Sequence, residues 1–194
     1  MATKKAMMHG AAHQRAQQNL LKSPRLYSPS GDPARPSLLE TTFPSSGAPP
    51  IVVLDTNVVL DWLLFNDPSC TQLGEQLESG RLRWIASREM CAELAHVLAR
   101  SPLDSRVADA GALWARWDRL AVRSEPVPLS GAAQHLRCTD PDDQMFIDLA
   151  LAHGARWLLS RDRAVLKLAP RVAAFDLAIL SPATWARRMN PAPP

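Results

Sequence analysis

The sequence predicts an α/β fold in which a mostly parallel central sheet lies between two layers of helices (α/β/α). Short apolar runs of strand length alternate with amphipathic segments of helical period along the chain. The first run, at 51–54, consists of four apolar residues and is typical of a strand buried on both faces. In such sheets, ligands bind beyond the carboxyl ends of the strands.

Residues 1–49 differ from the rest of the chain in composition. They contain six Pro and six Lys or Arg against two Asp or Glu, with no sustained apolar period. Such a segment buries too little apolar surface to offset its ordering entropy, so we expect a disordered N-terminal extension followed by one domain at 50–190. The extension carries a net charge of +4 and the remainder −1, so the basic pI does not indicate a basic nucleic-acid-binding core.

The spacing of the apolar residues and the positions of Gly and Pro, which break helices and strands, predict where each element lies. Strands are predicted at 51–54, 83–86, 156–159 and within 173–180; the segment 121–128 is extended, but its two prolines disfavour a central strand. Helices are predicted at 58–65 with Asn57 as a cap, 70–80, from Ser87 to about Arg100, 104–120, 142–153, one or two turns in 161–168, and from Ser181 with Pro182 in the first turn.

Several classes of protein are disfavoured by the sequence. The three cysteines, Cys70, Cys91 and Cys138, are far apart and form no CxxC pair, which is typical of a reducing cytoplasm and excludes a zinc ribbon or disulfide framework. Asp55 and Asp61 interrupt the most apolar segment, so no membrane span is expected. The chain has no glycine-rich phosphate loop, and its histidines form no metal-ligand spacing.

Acidic residues lie near the carboxyl ends of the predicted strands. Asp55 ends the first strand, and Asp162 follows the strand at 156–159 by a few positions. Three more crowd the start of the helix at 142–153: Asp140, Asp142 and Asp143. Helix capping accounts for one or two acids at the start of a helix. It does not account for three acids beside a strand that itself leads to a further acid, Asp162.

Glu93 lies at the edge of the apolar stripe of the helix after Ser87, where a solvated side chain with its stem against the core is the simple alternative. Several carboxylates at one sheet edge repel one another, and a hard divalent cation relieves that repulsion. Mg²⁺ or Mn²⁺ prefers oxygen ligands and needs few of them, because waters complete the shell.

The chain resembles the PIN-domain ribonucleases, and within them the bacterial subgroup that act as toxins of toxin–antitoxin pairs. The resemblance covers about 51–189 and is carried by "VVLDTNVVL", "AELAHVL", "DPDDQMFIDLALAHGA" and "LLSRD". Each piece alone is weak, whereas their order and spacing together are quite specific. The four acidic positions of the family fall on Asp55, Glu93, Asp143 and Asp162.

The resemblance also implies roles for neighbouring residues. Asp143 is preferred to Asp142 because it lies seven residues before Ala150 and eleven before Gly154, as the pattern of the family places it. Three polar residues match the positions that support the carboxylates: Thr56, Asn57 and Ser160. Asp140 and Asp142 have at most an auxiliary role, and Asp61 and Asp148 are expected to be solvated helix residues.

The activity implied is metal-dependent hydrolysis of RNA, with products that carry a 5′-phosphate and a 3′-hydroxyl. Asp55 and Asp143 are then the principal ligands, so a metal ion rather than a basic side chain is expected opposite Asp55. Glu93 and Asp162 complete a second site or orient the attacking water as a general base. Four residues are candidates for phosphate contacts, with ordinary surface charge as the alternative: Arg88, Arg161, Arg163 and Lys167.

Two other functions remain open. A haloacid-dehalogenase-like phosphatase also has an Asp after its first strand, but it needs a second Asp two positions later, where this chain has Asn57. A catalytically silent PIN-fold binding module would keep the fold and lose the reaction. A small antitoxin protein or a second copy of the chain is the expected partner, with Leu113, Trp114 and Trp117 predicted at that interface and core burial as the alternative.

Overall fold

The computed structural model describes residues 47–100 and 110–190. These residues form five strands: β1 (Ile51–Leu54), β2 (Arg83–Ala86), β3 (Ala121–Arg123), β4 (Trp157–Leu159) and β5 (Ala178–Leu180). The strands make one sheet in the order β3-β2-β1-β4-β5, and every neighbouring pair is parallel. The predicted three-layer α/β/α fold with a parallel sheet is therefore confirmed. All but the last three residues of the predicted extension at 1–49, and the predicted helix start at 104, lie outside the described residues.

Eight helices connect and cover the strands in the described part of the chain. They are α1 (Thr56–Leu63), α2 (Thr71–Glu78), α3 (Arg88–Arg100), α4 (Ala110–Leu120), α5 (Gln144–Ala152), α6 (Arg163–Leu166), α7 (Ala169–Val172) and α8 (Pro182–Met189). Single 3₁₀ turns occur at Pro68–Cys70, Gly131–His135 and Ala173–Phe175. Among these described helices, none has the length and apolarity that would let it cross a membrane.

Helix α1 begins two residues earlier than the apolar period predicts. Asp55 has extended backbone angles and its carboxylate accepts a hydrogen bond from the backbone N–H of Asn57, so Asp55 is the N-cap. The predictions of a start at residue 58 and of Asn57 as the cap are therefore wrong. As a consequence, one carboxylate both ends β1 and begins α1, and its position is determined by both elements.

The two edges of the sheet are short strands. β3 has three residues and pairs only with β2 in the described sheet, as the prolines that follow it predict for an edge strand. β5 is shorter than the predicted segment 173–180, because its first part forms a 3₁₀ turn that ends at Asp176 in the left-handed region, with φ of 58°. β1 lies at the centre, so its side chains are covered by helices on both faces.

A cluster of tryptophans fills the core beside β2. Trp84 is fully buried, and its ring makes edge-to-face contacts with Trp117 at 4.7 Å and with Trp62 at 6.0 Å between centroids. Leu113 is also fully buried, whereas Trp114 is only partly buried. The prediction that α4 presents Leu113 and Trp117 to a partner is therefore wrong: this face packs on the protein's own core.

Gly74→Ala should destabilise the fold by roughly 1–3 kcal/mol, the usual cost of overpacking a filled core. A Cβ at this position of α2 would lie 2.5 Å from Nε1 of Trp62, so the indole, itself packed on Trp84, would have to move. Urea unfolding at equilibrium measures the change.

The matched control is Gly111→Ala in α4, where an added Cβ meets no atom within 4 Å. Alanine favours a helix over glycine by roughly 0.5–1 kcal/mol, so this variant should be slightly more stable than the wild type. Equal midpoints for the two variants would show that the indole of Trp62 does not need the space at Gly74.

Candidate active site

Two neighbouring strands deliver the central polar residues of the site. Leu54 at the end of β1 is paired with Leu159 at the end of β4, and the N–H of Asp55 donates to the carbonyl of Leu159 at 3.0 Å. Asp55 and Ser160 are the next residues of their chains, so parallel pairing places them side by side at the carboxyl edge. Asp55 thus lies at the edge where the sequence predicts it.

Asp55 is 3% exposed, and its carboxylate is held by hydrogen bonds from Ser160 and Asn57. Its Oδ2 accepts bonds from the Ser160 hydroxyl and, at 2.7 Å, from Nδ2 of Asn57. Burial raises the pKa of Asp55 above its usual value, although the bonds from Ser160 and Asn57 oppose the shift. Within residues 47–100 and 110–190, no Lys, Arg or His forms an ion pair with Asp55.

Ser160 joins Asp55 to Asp162. Its side chain is completely buried, and its oxygen accepts a hydrogen bond from the N–H of Asp162 at 2.9 Å while its hydroxyl donates to Asp55. Asp162 in turn caps α6, since its Oδ1 accepts from the N–H groups of Ala164 at 2.5 Å and Val165 at 3.3 Å. The cap occupies one carboxylate oxygen and fixes the side chain beside Asp55.

Glu93 reaches the same edge from α3, which contacts α1. Its Oε2 accepts a hydrogen bond from the buried hydroxyl of Thr56 at 2.9 Å, so a residue adjacent to Asp55 fixes the glutamate. Partial burial raises the pKa of Glu93, and the negative charge of Asp55 adds to the shift although the Thr56 bond opposes it. The simple alternative of a solvated Glu93 does not fit this contact.

Asp143 lies just before α5 and is half-buried. It occupies the N-cap position but makes no side-chain cap hydrogen bond. Burial is the largest cause that raises the pKa of Asp143 to about 7. Four carboxylates add to this shift by their negative charge: Asp55, Asp162, Asp140 and Glu93. The charges of the other three predicted acids therefore all act on Asp143, and a capping role does not account for its side chain.

Asp142 differs from its neighbour. Its side chain is exposed, and its N–H donates to Oδ1 of Asp140 at 3.1 Å, which closes a local turn before the helix. The negative charge of Asp142 reaches Glu93, but it is not among the charges that shift Asp143. The two adjacent acids thus differ in exposure, since Asp143 is half-buried and Asp142 is exposed.

The four basic residues predicted to contact phosphate divide into two sets. Arg88, Arg163 and Lys167 are exposed, as that role requires. Arg161 is exposed as well, but its guanidinium differs from the other three because it forms ion pairs with two acids, Asp61 and Asp67. The expectation that Asp61 is simply solvated is wrong for the same reason.

The donor set suits a hard divalent cation, because it consists of carboxylate oxygens whose repulsion no basic group offsets. Within the described ranges 47–100 and 110–190, no group of three or more Asp, Glu, His or Cys side chains is positioned to hold a metal ion as it stands. Mg²⁺ usually binds through only one or two carboxylates and keeps several waters. Asp55 and Asp143 are the two acids that could hold such an ion, since the negative charge of Asp55 raises the pKa of Asp143.

One residue of the surroundings carries no sequence signal that reveals its role. Gln144 begins α5, and its side-chain amide bonds at both ends to the segment before the acids. Its Oε1 accepts from the N–H of Cys138 at 2.8 Å, and its Nε2 donates to the carbonyl of Leu136 at 3.1 Å and to Asp148 at 2.7 Å. Gln144 therefore fixes the segment that leads into Asp143.

The free energy of unfolding of the metal-free protein should fall as the pH rises from about 5 to about 8. The pKa of Asp143 is about 7 in the folded protein and near its ordinary 3.8 in the unfolded chain. The folded state therefore binds more protons than the unfolded state between these values, and linkage lowers stability with rising pH. Thermal midpoints measured in chelator across this range check the sign.

Asp143→Asn removes the titrating group and should flatten most of this pH dependence. A wild-type midpoint that rises between pH 5 and pH 8 would contradict the coupling of the four acids.

Comparison with known proteins adds one match. A family model of the PIN domain matches residues 51–164, which include all four acids of the group. No curated protein matches the chain.

Proposed function

We propose, because this chain belongs to the PIN-domain family, that it is a metal-dependent ribonuclease that hydrolyses RNA phosphodiester bonds. PIN domains are generally nucleases and typically use divalent metal ions. The observation that carries the narrower proposal is the coupled group of Asp55, Glu93, Asp143 and Asp162, none of which forms an ion pair with a basic side chain in the described residues. Such a group of negative charges attracts a cation.

Mg²⁺ or Mn²⁺ is the proposed cofactor, held by Asp55 and Asp143 as principal ligands. When bound, the ion lowers the pKa of a water molecule and stabilises negative charge on the phosphoryl oxygens. Asp162 and Glu93 hold a second ion or orient the attacking water as a general base. Burial raises the pKa of Glu93, which makes its carboxylate a stronger base than an ordinary glutamate.

The polar neighbours supply orientation. Ser160 and Asn57 both donate to Oδ2 of Asp55, so they fix its rotamer, and Thr56 does the same for Glu93. Groups that hold a metal-binding carboxylate by hydrogen bonds typically contribute about 10- to 100-fold to metal affinity or activity. The products expected from attack by water carry a 5′-phosphate and a 3′-hydroxyl.

RNA approaches this acidic site past three exposed cations, Arg88, Arg163 and Lys167. Contacts to the phosphate backbone supply most of the non-specific affinity of a protein for a nucleic acid. We therefore assign these three residues to the RNA backbone and omit Arg161, whose guanidinium is paired with Asp61 and Asp67.

The proposal extends to a partner and a setting. A ribonuclease of this kind in the cytoplasm must be held inactive until it is needed, and a small antitoxin protein encoded beside it is the proposed inhibitor. The alternative partner is a second copy of the chain. A neighbouring reading frame whose purified product stops RNA cleavage would support the antitoxin, and a dimer by light scattering would support self-association.

Asn57 weighs against the phosphatase alternative. Its Nδ2 donates to Asp55, and its Oδ1 accepts from the N–H of Arg161 at 3.2 Å, so the amide is used as a bridge where that class needs a proton-transferring carboxyl. We retain no second function, since no contact of the described residues favours one.

Incubation of the purified chain with 5′-labelled RNA in Mg²⁺, in Mn²⁺ and in EDTA tests the proposal. We expect cleavage with either ion, none in EDTA, and recovery when Mg²⁺ is restored. End-group analysis should find 5′-phosphates on the products. No cleavage with any divalent ion would leave the silent binding module, cleavage that persists in EDTA would exclude the metal, and a phosphorylated aspartate would favour the phosphatase.

A further inference from the structure

Arg161 connects three segments that surround the site. Its backbone N–H donates to Oδ1 of Asn57 at 3.2 Å. Its guanidinium forms an ion pair with Asp61 and a second one, at 2.6 Å, with Oδ2 of Asp67, and it donates to the hydroxyl of Ser69 at 3.0 Å. One residue thus joins the segment after β4 to the first and second turns of α1 and to the 3₁₀ turn that follows.

The same short segment carries the residues that hold the carboxylates. Ser160 and Asp162 flank Arg161, and Ser160 donates to Asp55. Asn57, the acceptor of the Arg161 N–H, is the other side chain that donates to Oδ2 of Asp55. Residue 161 is therefore connected to both side chains that donate to that oxygen, to Ser160 by a peptide bond and to Asn57 by a hydrogen bond.

We infer that Arg161 is a positioning residue for RNA hydrolysis: it fastens the Ser160–Arg161–Asp162 segment to α1 and thereby fixes the orientation of Asp55. The inference rests on the proposed ribonuclease activity. It also differs from the phosphate-binding role that its charge and its place beside Asp162 predict, because Nε and Nη2 of the guanidinium already bind Asp61, Asp67 and Ser69.

Removal of the two acids that pair with Arg161 should have opposite effects depending on whether the arginine positions the segment or binds RNA phosphate. If the arginine positions the segment, removal of Asp61 and Asp67 loosens it and slows the reaction. If the arginine binds phosphate, removal of the same acids frees the cation and takes negative charge from the path of the RNA, so RNA binds more tightly. The double variant Asp61→Asn with Asp67→Asn therefore gives opposite results under the two roles.

The first variant is Arg161→Lys, which keeps the charge but cannot reach Asp61, Asp67 and Ser69 at once, since an ammonium is a single point charge on a flexible stem. Misplacement of a reacting group by about 1 Å costs roughly 100-fold in rate, so we expect kcat to fall by about 10- to 100-fold. KM and the slope of log KM against log salt should stay within about twofold of the wild type, because no phosphate contact is lost. A variant with wild-type kcat overturns the inference.

The second variant is the double Asp→Asn change, which should lower kcat to a similar extent with KM unchanged. A lower KM with unchanged kcat overturns the inference and returns Arg161 to the RNA backbone. The matched control is Arg116→Lys, which alters an ion pair of 2.6 Å with Glu78 outside this network. It should change stability by no more than the other variants do and leave kcat as it is.

A readout that needs no RNA separates this inference from the activity on which it rests. Amide hydrogen exchange at positions 161 and 162 should be about tenfold faster or more in Arg161→Lys than in the wild type, at equal exchange in the core strands, because the bonds to Asn57 and Ser160 open more often. Unchanged exchange at both positions overturns the positioning role. A wild type that cleaves no RNA yet shows this faster exchange in the variant places the failure in the proposed function alone.

Discussion

Asp143→Asn should abolish metal-dependent RNA cleavage and leave the metal-free protein as stable as the wild type or more stable. The variant removes a principal ligand, and it also removes one charge from a group in which Asp55, Glu93 and Asp162 repel Asp143. A metal ion at a hundredfold excess over its Kd stabilises the folded state by about 2.7 kcal/mol, and the variant should lose most of this gain. Thermal melts with and without Mg²⁺, beside a cleavage assay, measure both effects.

Asp142→Asn is the matched control, since it changes the adjacent, exposed acid in the same way. It should keep the stabilisation by Mg²⁺ and much of the activity. If Asp143 only capped a helix, its replacement would remove no metal dependence. If Asp142→Asn is the inactive variant and Asp143→Asn the active one, the ribonuclease proposal stands and the ligand is the neighbouring residue.

Ser160→Ala should both destabilise the protein and slow cleavage. The hydroxyl is completely buried between the carboxylate of Asp55 and the N–H of Asp162. Its loss leaves the N–H of Asp162 without this acceptor and leaves Oδ2 of Asp55 with only the bond from Asn57. An unsatisfied buried group costs roughly 1–3 kcal/mol. Loss of a hydrogen bond that orients a metal ligand lowers affinity or activity by about 10- to 100-fold. Urea unfolding and calorimetric titration with Mn²⁺ measure the two effects separately.

Ser181→Ala removes another structural serine without touching the site. Its Oγ accepts from the N–H of Thr184 at 3.2 Å as the N-cap of α8, and loss of such a cap costs about 1 kcal/mol. This variant should keep the Mn²⁺ affinity and the cleavage rate of the wild type at temperatures below its midpoint. Equal loss of Mn²⁺ affinity in the two serine variants would show that the effect of Ser160 is one of stability alone.

The strands and the edge on which the acids meet follow from the sequence, because both depend on local patterns. Two apolar runs that end in polar residues are visible in the sequence, at 51–54 and at 156–159. Because these two strands pair in parallel, the polar residues that follow them lie at the same edge of the sheet.

The details that the sequence does not reveal depend on contacts between distant segments. The pairing of Arg161 with Asp61 and Asp67 joins residues 94 or more positions apart, and nothing in the local pattern of "LLSRD" separates such a pair from a surface charge. Gln144 likewise gains its role from a loop whose path is not periodic. The start of α1 shifts because the side chain of Asp55 competes successfully with Asn57 as a cap, a choice that propensity alone leaves undecided.

The prediction that the tryptophans of α4 cover an interface fails for a similar reason. An amphipathic helix shows which face is buried but not what buries it, and here Trp84 of β2 provides the partner surface. Trp117 is 2% exposed within the single chain, so an interface formed by this protein must use other residues.

The hydrogen bond from Ser160 to Asp55 joins positions 105 residues apart, and this separation bears on when the two residues meet during folding. Closing so long a loop is slow relative to local helix formation, because its entropy is lost before the strand pairing compensates. β1 leaves the ribosome before β4, the strand with which it pairs. The carboxylate of Asp55 therefore lacks its Ser160 partner until β4 has been made and has paired with β1, so this part of the site forms at a late step of folding.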